Sequence, residues 1–304
     1  MKTVDFGKSS IKVPAIAVGC MRISNMSEKE AKTFVDTCLE NGANFFDHAD
    51  IYGAGKSEEV FGKAVKGVDR EKLIIQTKCG IVSGKMFDFS YEHIINSVEG
   101  SLKRLGTEYI DVLLLHRPDA LVEPEEVAQA FDKLYESGKV RNFGVSNQNP
   151  YQIMLLQKYL SRPICANQLQ FSIMHTPMID AGINVNMLSD GAVNRDGGVL
   201  DFCRLHDITI QAWSPMQYGF FEGCFVDNEK FPHLNATLQK IADKYGVTKT
   251  TVSVAFILRH PAKMQCITGT TNPDRLKQSF SACDVDLTRE EWYEIYRAAG
   301  NILP

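Results

Sequence analysis

The sequence has no run of about 18 apolar residues, the length that a membrane-spanning helix needs. Its first residues, Met1-Lys2-Thr3-Val4-Asp5-Phe6-Gly7, lack the apolar core of a secretory signal. No CxxC pair occurs among the eight cysteines, Cys20, Cys38, Cys79, Cys165, Cys203, Cys224, Cys266 and Cys283. They are scattered through predicted strands and helices, which fits reduced thiols in the cytoplasm better than a disulfide framework or a zinc site. An excess of positive charge is absent too: 33 Lys+Arg stand against 37 Asp+Glu, a net charge of −4. That balance argues against nucleic acid or an anionic membrane as partner, while leaving room for a local cationic pocket for one phosphate. There is no low-complexity tract and no sequence repeat. No GxGxxG turn follows a predicted strand, so a Rossmann dinucleotide site has no support.

What is present is the composition of a globule with a sizeable core: 304 residues, 44 % hydrophobic and 23 % charged. Short apolar, β-rich runs alternate with amphipathic helical stretches. The strand candidates are 15–19, 44–47, 73–78, 110–116, 142–146, 166–168, 208–213 and 265–269. Several are apolar throughout, as parallel strands covered on both faces must be. Their starts recur about every 36 residues, close to one βαβ unit. Eight such units predict an α/β fold, a (β/α)8 TIM barrel forming a single domain over residues 1–304. Val4–Phe6 and Ile11–Val13 flank Gly7-Lys8-Ser9-Ser10 and read as an N-terminal hairpin plugging the bottom of the barrel.

Helix signals sit between the strands. Ser27-Glu28-Lys29-Glu30 is a capping box ahead of 31–40. Further helices are expected over 91–105, 125–136, 151–160 and 274–282, opened or closed by Pro124, Pro150, Pro273, Gly106 and Gly138. Three more, over 234–245, 248–258 and 289–299, are extra C-terminal helices. The connection 171–199 has no clear periodicity. It is expected either to overhang the top face as a functional loop or to be a family-specific insertion.

Barrel enzymes build their sites at the C-terminal ends of the strands. The second predicted strand ends in Asp47, with Tyr52 in the following loop; the third ends in Lys78 and the fourth in His116. A free tyrosine is a poor proton donor at neutral pH, with a pKa near ~10. A neighbouring ammonium lowers that value, so Lys78 is expected to depress the pKa of Tyr52, and Asp47 to keep Lys78 charged. A neutral His116 would orient a carbonyl oxygen. The foursome is suited to protonating an oxygen on which negative charge develops. Taken singly, Asp47 and Lys78 could be a buried ion pair and Tyr52 a loop aromatic. His48 and Asp50 could be metal ligands, but no further cluster joins them, and no metal site is expected. A metal-dependent barrel hydrolase would need ligands that the strand ends do not supply.

The segments Phe46-Asp47-His48-Ala49-Asp50-Ile51-Tyr52-Gly53, Gln76-Thr77-Lys78-Cys79-Gly80, Leu114-Leu115-His116-Arg117-Pro118-Asp119, Gly138 to Asn147, Asn167-Gln168 and Ala212-Trp213-Ser214-Pro215-Met216 carry a resemblance that spans nearly the whole chain. The chain resembles the aldo-keto reductases, NADPH-dependent barrel enzymes, in particular a bacterial branch of predicted oxidoreductases. The resemblance implies that Asp47, Tyr52, Lys78 and His116 form the catalytic tetrad, with Tyr52 as general acid in the reduction of an aldehyde or ketone. It implies that Ser146, Asn147 and Gln168 hold the nicotinamide carboxamide and that Trp213 stacks on the ring, the alternative for Trp213 being barrel core. Ser214, Met216 and Gly219 match the loop over the pyrophosphate, and Cys20, Met21 and Ile267 complete this part of the cofactor cleft.

Thr270 and Arg275 match the end of the cleft that takes the 2′-phosphate, where the helix opened by Pro273 offers free N–H groups. A solvated helix arginine is the alternative for Arg275. Gly269 stands where many members carry a phosphate-binding lysine, and Gln278 and Ser279 replace a common Glu-Asn pair at the adenine. NADPH remains the expected cofactor, with NADH possible. Met21, Ile23, Cys79 and the loop around His175 are expected to line the pocket of a small-molecule carbonyl substrate. A monomer is expected. The alternative function is a nicotinamide-cofactor-sensing regulatory subunit with little turnover, as in some channel-associated relatives.

Overall fold

A computed structural model describes all of residues 1–304. The predicted runs form eight parallel strands, Ile16–Gly19, Phe45–Asp47, Ile74–Cys79, Ile110–Leu115, Val140–Ser146, Ile164–Gln170, Thr209–Trp213 and Gln265–Thr268. Each pairs with its neighbours in chain order, and the eighth closes on the first, with Ile267 opposite Ala17. All six residues of the fourth strand are buried, as are all four of the first. This burial on both faces explains why these segments read as apolar runs.

Helices lie between the strands and cover the barrel. Ser27 caps Glu28–Glu40 through a reciprocal bond with Glu30, and Asn149 does the same for Pro150–Tyr159 with Gln152. Tyr91–Leu105 ends at Gly106, left-handed at φ 66°. The helices Pro232–Tyr245, Lys249–Leu258 and Arg289–Ala298 are the expected C-terminal additions. Three helices lack a clear sequence signal: Lys56–Ala64, Pro177–Ile183 and Val199–Leu205. The first follows Gly53 and Gly55, both at positive φ, has no capping side chain, and buries Ser57 and Glu58 beside Phe61. With left-handed Gly55 in the capping position, the sequence carries no start signal for it.

The N-terminal hairpin pairs Thr3–Asp5 with Lys12–Pro14. Its turn drives Phe6, fully buried, into a cluster with Val13, Ala17, Phe45, Val112, Leu114, Cys165 and Ala166. Gly7 makes this approach possible. Its φ is +53°, and a Cβ there would lie 2.2 Å from the Cys165 carbonyl oxygen, while its N–H donates to Thr209 Oγ1 at 2.8 Å. Truncating the plug, Phe6→Ala, should cost about 3–5 kcal/mol, the usual range for emptying an aromatic site. Denaturant unfolding measures this loss; a variant as stable as the parent would show that the plug carries no weight.

Candidate active site

The barrel interior is not uniformly apolar. Gln265 Nε2 donates to the Pro14 carbonyl at 2.7 Å, and Gln211 Nε2 donates to Gln265 Oε1 at 2.8 Å. Gln211 and Gln76 exchange two bonds of 3.0 Å, and Gln76 Nε2 donates to Asp47 Oδ1 at 2.6 Å. Gln168 Nε2 joins from the sixth strand, 3.1 Å from the same oxygen. A chain of amides thus runs from the bottom hairpin to the Asp47 carboxylate.

Lys78, wholly buried, stands beside it. Its ammonium spans three acceptors: the Asp47 carboxylate at 2.8 and 2.9 Å, the His48 carbonyl at 2.7 Å and the Tyr52 hydroxyl at 3.1 Å. Three donors meet three partners, so the cation is fully satisfied without water. Burial works against the charge, but Asp47, Tyr52 and the bonds to both outweigh it and hold the lysine pKa above its ordinary value. Tyr52 sits in a short 3-10 turn whose next two residues, Gly53 and Ala54, are left-handed at φ 58° and 55°. This strained turn folds the ring back over Lys78. The His116 ring stands edge-on to Tyr52, centroids 6.0 Å apart. Burial, then the charges of Lys78 and Arg117, push its pKa well below the usual imidazole range, so the ring is neutral.

The expected depression of the phenol pKa is not what these surroundings give. Burial raises it, the cation of Lys78 pulls it down, Asp47 raises it again, and the net direction is upward. The ammonium moderates the cost of a buried phenolate rather than reversing it. Tyr52 is therefore a protonated phenol through the neutral range.

These groups open into one cavity of about 930 Å³, at the upper end of the ~300–1,000 Å³ typical of ligand pockets. Asp47, Tyr52, His116, Met21, Ser146, Asn147, Gln168, Trp213, Ser214, Met216, Ile267, Gly269, Thr270, Arg275, Gln278 and Ser279 all line it. Lys78 lies just beneath. Asn147 (φ 55°) and Ser214 (φ 54°) hold left-handed backbone at the strand tops. Asn147 Nδ2 donates to Ser146 Oγ at 2.7 Å, and the Trp213 indole donates to Asn147 Oδ1 at 3.2 Å. Trp213 is a wall of the cavity, stacked on Phe221 at 6.1 Å, and not barrel core.

Five expected lining residues are elsewhere. Cys20, Ile23 and Cys79 are buried behind the wall. Cys79 follows Lys78 along a strand, so its side chain must take the opposite face. Gly219 stays outside the cavity, where its carbonyl accepts from Gln170 Nε2 at 2.9 Å. His175 bridges back to Ser172, and no residue of 171–199 lines the cavity. The connection is tied at its start to the Gln217 carbonyl, which accepts from Ser172 Oγ at 2.8 Å, and further on to the last helix, Tyr296 donating to Asp180 at 2.6 Å. The rim is formed by the small hairpin pairing Gln217–Tyr218 with Gly223–Cys224. His48 turns its ring onto Phe61 at 4.5 Å, and burial pushes its pKa down to about 3. Sequence reasoning missed Arg22, Ile81, Arg117 and Phe221, which also line the cavity. Arg22 and Arg117 directly follow Met21 and His116, which was the available signal.

A nicotinamide dinucleotide fits this donor set. Gln168 is 4 % exposed, and its side-chain oxygen accepts nothing within the chain, leaving an acceptor for a carboxamide N–H. At the far end, Asn272 Oδ1 already accepts from the N–H groups of Asp274 and Arg275, both at 3.0 Å. The free helix amides expected there are therefore taken. Arg275 lines this end of the cavity, its Nε donating to Thr270 Oγ1 at 3.1 Å.

A closed parallel barrel with this lysine-centred group at the mouth of a large cleft defines an oxidoreductase of the aldo-keto reductase kind. The aldo/keto reductase family model matches residues 15–299, and the chain belongs to that family. It is an NAD(P)H-dependent oxidoreductase. It is 34 % identical to the 6-dehydroglucose reductase of Agrobacterium fabrum, over 95 % of each chain. It is 35 % identical to the uncharacterized oxidoreductase YcsN of Bacillus subtilis, over 90 % of this chain and 89 % of that one. Among solved structures it is similar to the thermostable aldo-keto reductase Tm1743 in complex with epalrestat, with a TM-score of 0.80, 25 % identity, and coverage of 98 % and 100 %. No helix is long and apolar enough to cross a membrane.

The neutrality of His116 can be measured directly. Its depressed pKa means that the ring gains a proton only far below the usual range. The nitrogen resonances of labelled His116 should stay flat from pH 5.5 to pH 8 on an order-of-magnitude view of imidazole titration. An inflection near the ordinary ~6.5 would contradict the burial argument.

Proposed function

We propose that the protein reduces aldehydes and ketones to alcohols with NADPH. The observation that carries this reading is the 3.1 Å contact of the Lys78 ammonium with the Tyr52 hydroxyl, beside a neutral imidazole and facing a single cavity. A carbonyl oxygen between Tyr52 and His116 would accept a hydrogen bond from each. When bound, the dihydronicotinamide supplies the hydride to the carbonyl carbon. Tyr52 gives its proton to the oxygen as charge develops there, and the ammonium of Lys78 stabilises the phenolate that remains. Asp47 holds Lys78 charged, and the glutamines hold Asp47. Ser146, Asn147 and Gln168 would take the carboxamide, Trp213 the ring face, and Ser214, Met216 and Ile267 the linking phosphates and riboses. Arg275 with Thr270 would take the 2′-phosphate and Gln278 with Ser279 the adenine. The cleft is complete within one chain, in keeping with a monomer. The eight free thiols suit the reducing cytoplasm. A sensing subunit with little turnover is the weaker alternative, because all four groups needed for proton transfer are assembled.

Tyr52→Phe removes the proton and keeps the ring. It should lower kcat for 4-nitrobenzaldehyde by about 10²–10⁴-fold, the usual worth of a general acid. NADPH affinity, read by fluorescence titration, should stay near that of the parent. Lys78→Met should also fail, since the phenolate then has no cation. Substantial turnover by Tyr52→Phe would show that another group is the acid. Because the phenol pKa lies above its ordinary value, reduction should hold its rate through neutral pH and decline only in the alkaline range as that proton is lost.

Cofactor choice gives a separate check. Arg275→Ala should raise the Kd for NADPH by about 10–100-fold, the scale of a charge-assisted phosphate contact, and that for NADH far less. Equal losses for the two cofactors would remove Arg275 from the 2′-phosphate.

A further inference from the structure

The charged groups lining the cavity can be accounted for one by one. Asp47 is held by Lys78 and the glutamines, and Asp227 pairs with Lys249. Arg22 donates to the Gly269 carbonyl at 2.9 Å, and Arg275 donates to Thr270. Arg117 alone among them has no polar partner. It lines the cavity, more than half buried, and forms neither a hydrogen bond nor an ion pair. Asp119, the nearest acid in sequence, gives its oxygens to the backbone N–H groups of Phe89 and Leu121, at 3.0 and 2.9 Å. The contact left to Arg117 is the face of Trp213, with 5.8 Å between guanidinium carbon and ring centroid.

A guanidinium carries five N–H donors in a rigid fork that matches an oxyanion. Leaving it desolvated and unpaired is costly, and burial lowers its pKa accordingly. It directly follows His116 in the chain and stands over Trp213, which lines the same cavity, so it belongs to the end where a carbonyl would react. The wall beside it is aromatic: Trp213 lies under the guanidinium and stacks on Phe221.

We infer that the physiological substrate is an anionic carbonyl compound whose oxyanion, a carboxylate or its like, pairs with Arg117 while its carbonyl meets Tyr52 and His116. The product is then a hydroxy acid or the corresponding anionic alcohol, with an apolar or aromatic body fitting the wall between the two ends. The carbonyl's position in this inference rests on the reductase reading above.

The test uses charged and neutral substrates of the same shape: 2-, 3- and 4-formylbenzoate against their methyl esters. The parent enzyme should favour the acid of at least one isomer by tenfold or more in kcat/KM. In Arg117→Met the acid-to-ester ratio for that isomer should fall by tenfold or more, mainly through KM, and in Arg117→Lys it should partly recover. Taking the ratio cancels general damage to the site. In parallel, calorimetry measures the matching hydroxymethylbenzoates binding to the protein saturated with NADP+. If no aldehyde is reduced yet a hydroxymethylbenzoate binds and Arg117→Met abolishes its binding, the anion site stands and the reductase reading falls. If acid and ester react equally for every isomer, or the ratio survives Arg117→Met, the inference is overturned.

Discussion

The ion pair between Lys78 and Asp47 is the constraint on which the site depends. An ammonium with no exposed surface costs several kcal/mol to desolvate, and one carboxylate rarely offsets that cost alone. Here the offset is distributed. The lysine has a backbone carbonyl and a phenol besides the acid, and the acid has two glutamine amides besides the lysine. Removing any one partner would leave a buried charge or dipole without its complement. The geometry is held in place by the penalty for every alternative.

The barrel supplies what this arrangement needs. Its strands set the second, third and fourth C-terminal ends side by side, so Asp47, Lys78 and His116 converge from adjacent elements. The left-handed turn at Gly53 and Ala54 then folds Tyr52 over the cation. Burial keeps His116 neutral and Tyr52 protonated, while the ammonium of Lys78 is the positive charge in direct hydrogen-bond contact with the phenol. A phenol whose pKa is raised by burial gives up its proton less readily, and the adjacent ammonium offsets part of that cost by favouring the phenolate.

The barrel and the four central residues were legible because both depend on local features: apolar runs of strand length, and polar residues where those runs end. The limits were equally physical. The opposite directions of successive side chains in a strand separate Lys78 from Cys79, and the period of two was enough to have placed Cys79 behind the wall. The fate of the helix amides ahead of Arg275 depended on Asn272, whose side chain folds back on them. The course of 171–199 was decided by distant contacts such as that of Tyr296 with Asp180. The direction of the Tyr52 pKa depended on how completely the site is buried, which no local pattern records. Arg117 was visible as a letter beside His116, but its lack of partners exists only in three dimensions.

The chain of glutamines beneath the site has a consequence of its own. Carboxylates or histidines could also have bridged Pro14 to Asp47, but their charge would change with acidity, and each change would be felt at the neighbouring acid. Amides neither gain nor lose protons in this range. The scaffold beneath Asp47 is thus electrically silent, joined to the floor of the molecule by dipoles of constant strength.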